Sequence, residues 1–236
     1  AARCLTAAGH TVTLGDHDPA EVARFSRHVS GFVKLPPPAA SPRRFFDAVI
    51  AAAAGAGAEV VVPLFEEGLL LAAYWDRQAA LPACFPAFDL GLSLADKGTG
   101  VERAARAGLP VATTMPAPLG AAEIGRELGY PLVVKPRLST SGVGVRVARS
   151  PGELAALLGS LPVPEAHVAQ RWAGARELVF QGVFDSGRCV AAHAYRVVCR
   201  HPPEHGFGIL QESVLDETIL AHGIRLGEDT GYHGAL

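Results

Sequence analysis

The sequence predicts a parallel α/β unit over residues 1–92 followed by an α+β unit over residues 93–236. Three observations carry that expectation. Helical segments alternate with apolar runs up to about residue 92, which implies crossover connections and a parallel sheet. A strand, a Gly-rich loop and a returning strand then occupy Leu132–Ala148. Finally, Glu177–Asp185 and Arg188–Arg200 alternate around a Ser-Gly turn, the pattern of an antiparallel hairpin.

In the first unit, AARCLTAAGH reads as the end of a helix stopped by Gly9, and TVTLGD as a buried strand ending at Asp16. There is no room before it for the strand and turn that normally open such a sheet, so the chain is expected to begin inside a fold. SPRRFFDAVIAAAAGAG has Ser41 at the N-cap, Pro42 at the first helical position, and Gly55 and Gly57 as its stop. AEVVVPLF, rich in valine, reads as a fully buried strand. Ligands of such a sheet gather at strand C-termini, here near Asp16 and Pro63–Glu67.

In the second unit, SLADKGTGVERAARAGLP carries a helical stripe of Val101, Ala104 and Ala105 closed by Gly108 and Pro110, and AAEIGRELGYP gives another short helix. LVVKP is a strand, RLSTSG a loop and VGVRVA the returning strand. SPGELAALLGS is a helix with a capping box, Ser150 and Glu153, and Pro151 in its first turn. HVAQRW is a short strand, HPPEHGFG a loop, ETILAHGIRLGEDTG a helix, and GYHGAL the entry to another strand.

Composition narrows the function. Hydrophobic residues make up 49% and the formal charge is −2, which argues against disorder and against a nucleic-acid surface. A small-molecule substrate is the default. The most apolar long stretch, Ala48–Leu71, is broken by Glu59, Pro63, Glu66 and Glu67, so no membrane span is expected. Cys4, Cys84, Cys189 and Cys199 lack CxxC spacing, as reduced thiols in a cytoplasmic protein would. Of 21 basic residues only Lys34, Lys97 and Lys135 are lysines. Each is therefore a candidate for a compact point charge against phosphate, a role arginine does not fill in the same way.

The stretch VVKPRLSTSGVGVRVA places Lys135 just before a loop of small residues. It is not a Walker A loop, because Gly-Lys-Ser/Thr is absent and the lysine precedes the glycines. Nor does it open a helix as GxGxxG would. Small residues let backbone N–H groups approach phosphate, and Ser139, Thr140 and Ser141 add hydroxyls. A lysine about 4 Å from a phosphate charge gains roughly 4 kcal/mol at an effective dielectric near 20, before desolvation. On these residues alone, a solvent-exposed turn stands as the alternative.

The order of elements favours the phosphate-binding reading. DK, helix, AGLPV, helix, LGYPLVVKP, Gly-rich loop, GV strand, SPGEL helix and VAQRWAGARELVF together resemble the ATP-grasp superfamily, in particular its carbamoyl-phosphate synthetase and biotin carboxylase type. Residues 1–92 resemble the Rossmann-like pre-ATP-grasp domain that precedes it, lacking its first strand. The resemblance implies a small nucleotide-flap subdomain over about 112–168. It assigns Lys135 to the lysine on the α- and β-phosphates and Lys97 to the earlier basic residue near the phosphates. Arg137, Leu138, Ser139, Thr140, Ser141 and Gly142 match the mobile flap. Gln170, Arg171, Trp172 and Ala173 match the hinge that reads adenine, and Glu177 the acid that meets the ribose hydroxyls.

The implied chemistry is ATP-dependent ligation: ATP phosphorylates a small-molecule carboxylate, and an amine or another nucleophile such as a thiol attacks the acyl phosphate. Positioning and charge neutralisation dominate such transfers. Arg196, with Arg200, is the candidate for a substrate carboxylate, which arginine holds in bidentate fashion; exposed strand arginines are the alternative. The family's magnesium ligands are expected beyond Leu236, so the chain is expected to be clipped at both ends and to bind ATP and Mg²⁺ in a catalytic cycle only as part of a longer parent. A homodimer is left open. A nucleotide-binding module without catalysis, or a dinucleotide-binding protein using Asp16, is the other reading. His201 and His205 have helical zinc spacing, but Pro202 and Pro203 break the helix, and no zinc site is expected.

Overall fold

The computed structural model describes all residues except 76–81, 83, 175–176, 202 and 204–205, and the chain divides into two units, Ala1–Phe88 and Asp89–Leu236. In the first, helix α1 (Ala2–Ala7) ends at Gly9, whose φ of +91° turns the chain into strand β1 (Thr13–Asp16). Strand β2 (Gly31–Lys34) pairs with β1 in parallel, Asp16 opposite Lys34. Parallel pairing was expected; burial of β1 was not met, because a two-stranded sheet covers little and β1 is half-exposed. β2 itself is too short and too close to Pro36–Pro38 for its pattern to announce a strand.

Helix α2 (Pro42–Ala56) begins at the expected Ser41-Pro42 and stops at Gly57 in the left-handed conformation, with Gly55 inside the last turn. It buries Phe45, Phe46, Val49 and Ala53. These pack against Leu35, Phe85 and Leu71 of helix α3 (Glu67–Tyr74), and Trp75 lies edge-on to Phe46 and Phe85. The expected strand AEVVVPLF corrects to an extended segment with one bridge: Val61 donates to the Pro82 carbonyl at 3.4 Å and accepts from Cys84 N–H at 3.3 Å. Val60 and Phe65 are 47% and 65% exposed. Valines favour a pleated surface, but a strand needs a partner along its length, and among the described residues the pairing is at Val61.

The second unit opens with helices α4 (Phe88–Ala95) and α5 (Thr99–Arg106), the latter closed at Gly108, φ +76°. Strand β3 (Thr114–Pro116), helix α6 (Ala121–Leu128), strands β4 (Leu132–Pro136) and β5 (Arg146–Ala148), helix α7 (Pro151–Gly159) and strand β6 (His167–Arg171) follow. The sheet order is β3-β6-β4-β5, every pair antiparallel. One face, with Leu132, Val134, Ala148 and Ala169, packs on Ile124 and Leu128 of α6 and Leu154 of α7 to make the core.

Half of the expected capping box of α7 forms: Ser150 Oγ accepts from Glu153 N–H at 3.3 Å, whereas Glu153 Oε2 accepts at 2.9 Å from the N–H of Arg149, one residue before the N-cap. Ser150→Ala should cost about 1 kcal/mol, read as a lowered urea midpoint; an unchanged midpoint would show the cap to be redundant.

The second sheet comes from the expected hairpin, strands β7 (Leu178–Asp185) and β8 (Arg188–His201), joined through Ser186 and Gly187 at φ +51° and +91°. β8 continues further than expected and pairs with β9 (Phe207–Ser213), so part of HPPEHGFG is strand rather than loop. His201 ends a strand, and His205 lies outside the described residues. Helix α8 (Glu217–Thr230) and strand β10 (Gly234–Ala235) complete the order β10-β7-β8-β9. Among the described residues no helix is long and apolar enough to cross a membrane.

Candidate functional site

Alternation along β4 decides what faces away from the helices. Leu132 and Val134 enter the core, so Val133 and Lys135 point to the opposite face. Register places Gln170 of β6 and Val147 of β5 beside Val133, Val168 beside Lys135, and Thr114 of β3 beside Gln170. The face turned away from α6 and α7 thus presents a lysine, an amide and a hydroxyl above a floor of buried valines.

Those polar groups form a chain. Lys135 Nζ donates to Gln170 Oε1 at 2.7 Å, Gln170 Nε2 donates to Thr114 Oγ1 at 2.8 Å, and Thr114 Oγ1 donates to the Ala112 carbonyl at 2.9 Å. Each group fixes the next, so the Lys135 ammonium is held over the valine floor. Desolvation, and then the nearby charge of Lys97, depress the Lys135 pKa below its ordinary value. Two ammonium groups close enough to disfavour each other make a site suited to an anion.

Lys97 stands at the start of α5, opposite the Gly-rich loop. Its backbone N–H donates to the Arg137 carbonyl at 2.9 Å, while its Nζ donates to the carbonyl oxygen of Ser139 and, at 3.2 Å, to Ser139 Oγ. Asp96, the preceding residue, accepts from Arg137 Nε and a terminal guanidinium nitrogen, each at 2.8 Å, and from the N–H groups of Gly98 and Thr99. Burial works to raise the Asp96 pKa, but the Arg137 hydrogen bonds and the two N–H groups outweigh it, and the carboxyl titrates below its usual value. The Arg137 guanidinium is raised, chiefly by its hydrogen bonds to Asp96.

Beyond Ser139 the loop turns twice. Val143 N–H reaches the Thr140 carbonyl at 2.9 Å and Val145 N–H the Gly142 carbonyl at 3.2 Å, with Ser141, Gly142 and Gly144 at φ +53°, +75° and +75°. A side chain on Gly144 would meet the Pro136 ring at 2.7 Å, so glycine there permits the close return of the loop. Thr140 and Ser141 are exposed.

Two clefts lie along this sheet face. The first, about 340 Å³, is lined by Asp96, Lys97, Val101, Ala104, Lys135 and Gln170 among others. The second, about 400 Å³, is lined by Pro131, Val147, Arg149, Trp172, Gly174, Arg200 and Pro203. Both border the β4–β5–β6 face, the first at the Lys135 end and the second at the Pro131 end.

The sequence-predicted residues therefore separate. Lys97, Lys135 and Gln170 share the first cleft, and Ser139 joins them through Lys97. Trp172 lines the second. Arg171 pairs by its backbone with Leu132 and turns its guanidinium to the Glu127 carbonyl at 3.0 Å, and Ala173 follows it in an exposed segment. Glu177 is ion-paired with Arg200. Arg196 pairs with Glu212 across β8 and β9, half-exposed, and lines neither cleft. Asp16, in the first unit, accepts the Asp18 N–H at 2.7 Å. Asp96 and Thr114 went unremarked as site residues in the sequence; the DK pair pointed to the first, but the second is visible only through register. Among the described residues no group of three or more His, Cys, Asp or Glu is placed to hold a metal ion.

No protein-family model matches the chain, and no curated protein matches its sequence. Solved structures do. The biotin carboxylase of Campylobacter jejuni, as its β,γ-ATP complex, superposes with a TM-score of 0.74 at 19% identity, over 99% of this chain and 57% of that one. The biotin carboxylase domain dimer of Hydrogenobacter thermophilus 2-oxoglutarate carboxylase, in complex with MgADP, ADP and bicarbonate, gives 0.73 at 16% identity, over 99% and 56%. Rhizobium etli pyruvate carboxylase gives 0.69 at 18% identity, over 99% of this chain and 23% of that one. The chain has the mixed α/β fold of biotin carboxylase domains, which are ATP-grasp enzymes, and it spans little more than half the length of the first two.

Proposed function

We propose, from this shared fold and the arrangement on the sheet face turned away from α6 and α7, that the chain carries the ATP site of an ATP-grasp ligase. The observation that supports it most is the placement of Lys97 and Lys135 in one cleft beside the Gly-rich loop. In this reading the phosphates lie at Lys135, Lys97 and the 137–144 flap, and the base lies toward Trp172 and Ala173. From Lys135 back to Pro131 is four residues of strand, about 13 Å at about 3.3 Å per residue, which suits an extended nucleotide. Gln170 then orients Lys135 with its side chain and leaves recognition of the base to the hinge backbone. Residues 1–92 are read as the pre-ATP-grasp domain, a reading supported by the parallel β1–β2 pair.

The reaction proposed for the whole protein is transfer of the γ-phosphoryl group to a small carboxylate with release of ADP, followed by attack of an amine or other nucleophile on the acyl carbon, which breaks the C–O bond and expels inorganic phosphate. The two lysines neutralise phosphate charge, the loop's N–H groups add donors, and closure of the flap keeps water from the labile product. Magnesium is expected to accompany the nucleotide and would neutralise further phosphate charge. Because bicarbonate is bound in one relative of this fold, it is the first carboxylate to try.

Calorimetric titration of ATP in buffers of different ionisation enthalpy tests the site. An anion favours the charged form of Lys135, so its depressed pKa should rise on binding. The protein should then take up protons in the pH range between the two values, below the ordinary lysine pKa. Absence of ATP binding, or proton release in that range, would count against the assignment.

A further inference from the structure

The first cleft holds two like charges near each other, and something must keep them there. Lys97 is not carried by a strand of the sheet that carries Lys135; it is carried by the α5 N-terminus, and the bonds that bind this corner to the sheet converge on Arg137. The Arg137 N–H donates to the Ala166 carbonyl at 2.8 Å and its carbonyl accepts from Lys97 N–H, so the backbone of Arg137 lies between the loop before β6 and the start of α5. Its guanidinium meets both oxygens of Asp96 as a planar fork, a geometry lysine or glutamine cannot reproduce.

The surroundings are shaped for this fork. A side chain on Gly98 would stand 2.8 Å from the Arg137 terminal nitrogen, and one on Gly100 would stand 2.6 Å from the Leu94 carbonyl. The two glycines let guanidinium and backbone close onto the corner. Asp96 and Arg137 are 17% and 31% exposed, so the pair is shielded more than a surface bridge.

We infer that Arg137 and Asp96 are positioning residues of the proposed ATP site, fixing the root of the flap so that the Lys97 ammonium is presented to phosphate opposite Lys135. The inference rests on that reading. In that reading neither side chain is assigned a contact with nucleotide, since each is engaged by the other; both act through Lys97 and the flap backbone.

ATP and AMP titrations of the full chain and of Arg137→Gln, Arg137→Lys and Asp96→Asn test it, with thermal melts confirming that each variant is folded. Asn retains a side-chain oxygen able to accept from the Gly98 and Thr99 N–H groups, so Asp96→Asn removes the charged fork while sparing those backbone bonds. Arg137→Gln and Asp96→Asn are each expected to weaken ATP about tenfold and AMP less, since AMP brings less phosphate charge to the Lys97 ammonium. The double variant should be no worse than either single one, because the two residues act as one unit, and Arg137→Lys should restore part of the loss. Parental ATP affinity in both single variants, or equal losses for ATP and AMP, would overturn the inference. If the parent binds ATP and Lys135→Met does not, the ATP site stands even when these variants are silent; if the parent binds no ATP, both fall.

Discussion

Replacing Lys135 with methionine is expected to reduce ATP affinity about a hundredfold, roughly 3 kcal/mol, while leaving the protein folded. Lys135 is held by Gln170 over a valine floor, partly stripped of water, so its charge acts on phosphate with less screening than a surface lysine would. Methionine fills a similar volume without the charge. Two opposing effects, each about 1–2 kcal/mol, then bear on stability: removal of a desolvated ammonium is favourable, and Gln170 Oε1 loses its donor. The melting temperature should therefore move little. The favourable part has a definite pH dependence. Because the folded-state pKa of Lys135 is depressed, the cost of burying its charge is fully present below that pKa and disappears as pH rises through it toward the ordinary lysine value. The variant's relative stability should accordingly be greatest at neutral pH and fall away in alkali. A Lys135→Met protein that binds ATP as tightly as the parent would remove the lysine from the site.

The largest effect on stability is expected at the contact of α8 with the second sheet. Phe184 is 2% exposed, with its ring against Tyr232, and a side chain on Gly227 would lie 2.1 Å from that ring. Gly223 stands in the same relation to Phe180. Phe184→Ala should cost about 3–5 kcal/mol, from lost burial and the cavity left behind. Gly227→Ala separates local preference from packing. Helix propensity alone would stabilise it by about 1 kcal/mol, whereas overpacking against Phe184 should reverse the sign, for a net loss of about 1–3 kcal/mol. Urea denaturation reads both. A raised midpoint for Gly227→Ala would mean that α8 does not seat on the phenylalanines as described.

Much of this was legible from local chemistry. Ser41-Pro42 and Ser150-Pro151 started α2 and α7 where such residues do, Gly57 and Gly108 stopped α2 and α5, and Ser186-Gly187 turned the hairpin. The same locality explains the misreadings. AEVVVPLF has the composition of a buried strand, yet whether a strand forms depends on what lies beside it, and among the described residues the bridge is at Val61. β9 was unreadable in GILQES because its apolar residues do not alternate cleanly, and its pairing with β8 supplies what its pattern lacks. For the site, the scarcity of lysine and the Gly-rich loop singled out Lys97 and Lys135 without showing that they share a cleft.

The sequence by itself determined the starts of α2 and α7, the stops of α2 and α5, the hairpin, the loop and the set of groups able to meet phosphate, because these follow from interactions within a few residues. Only the tertiary structure decided which of those groups act together. Register set Gln170 on the same face as Lys135 and Thr114 beside Gln170; the Asp96–Arg137 fork joined segments 41 residues apart, with Lys97 against the Gly-rich loop; and the pairing of Arg196 with Glu212 and of Glu177 with Arg200 gave three predicted residues protein partners of their own. Contacts between distant segments depend on how strands pair and helices pack, and no short stretch of sequence carries that information.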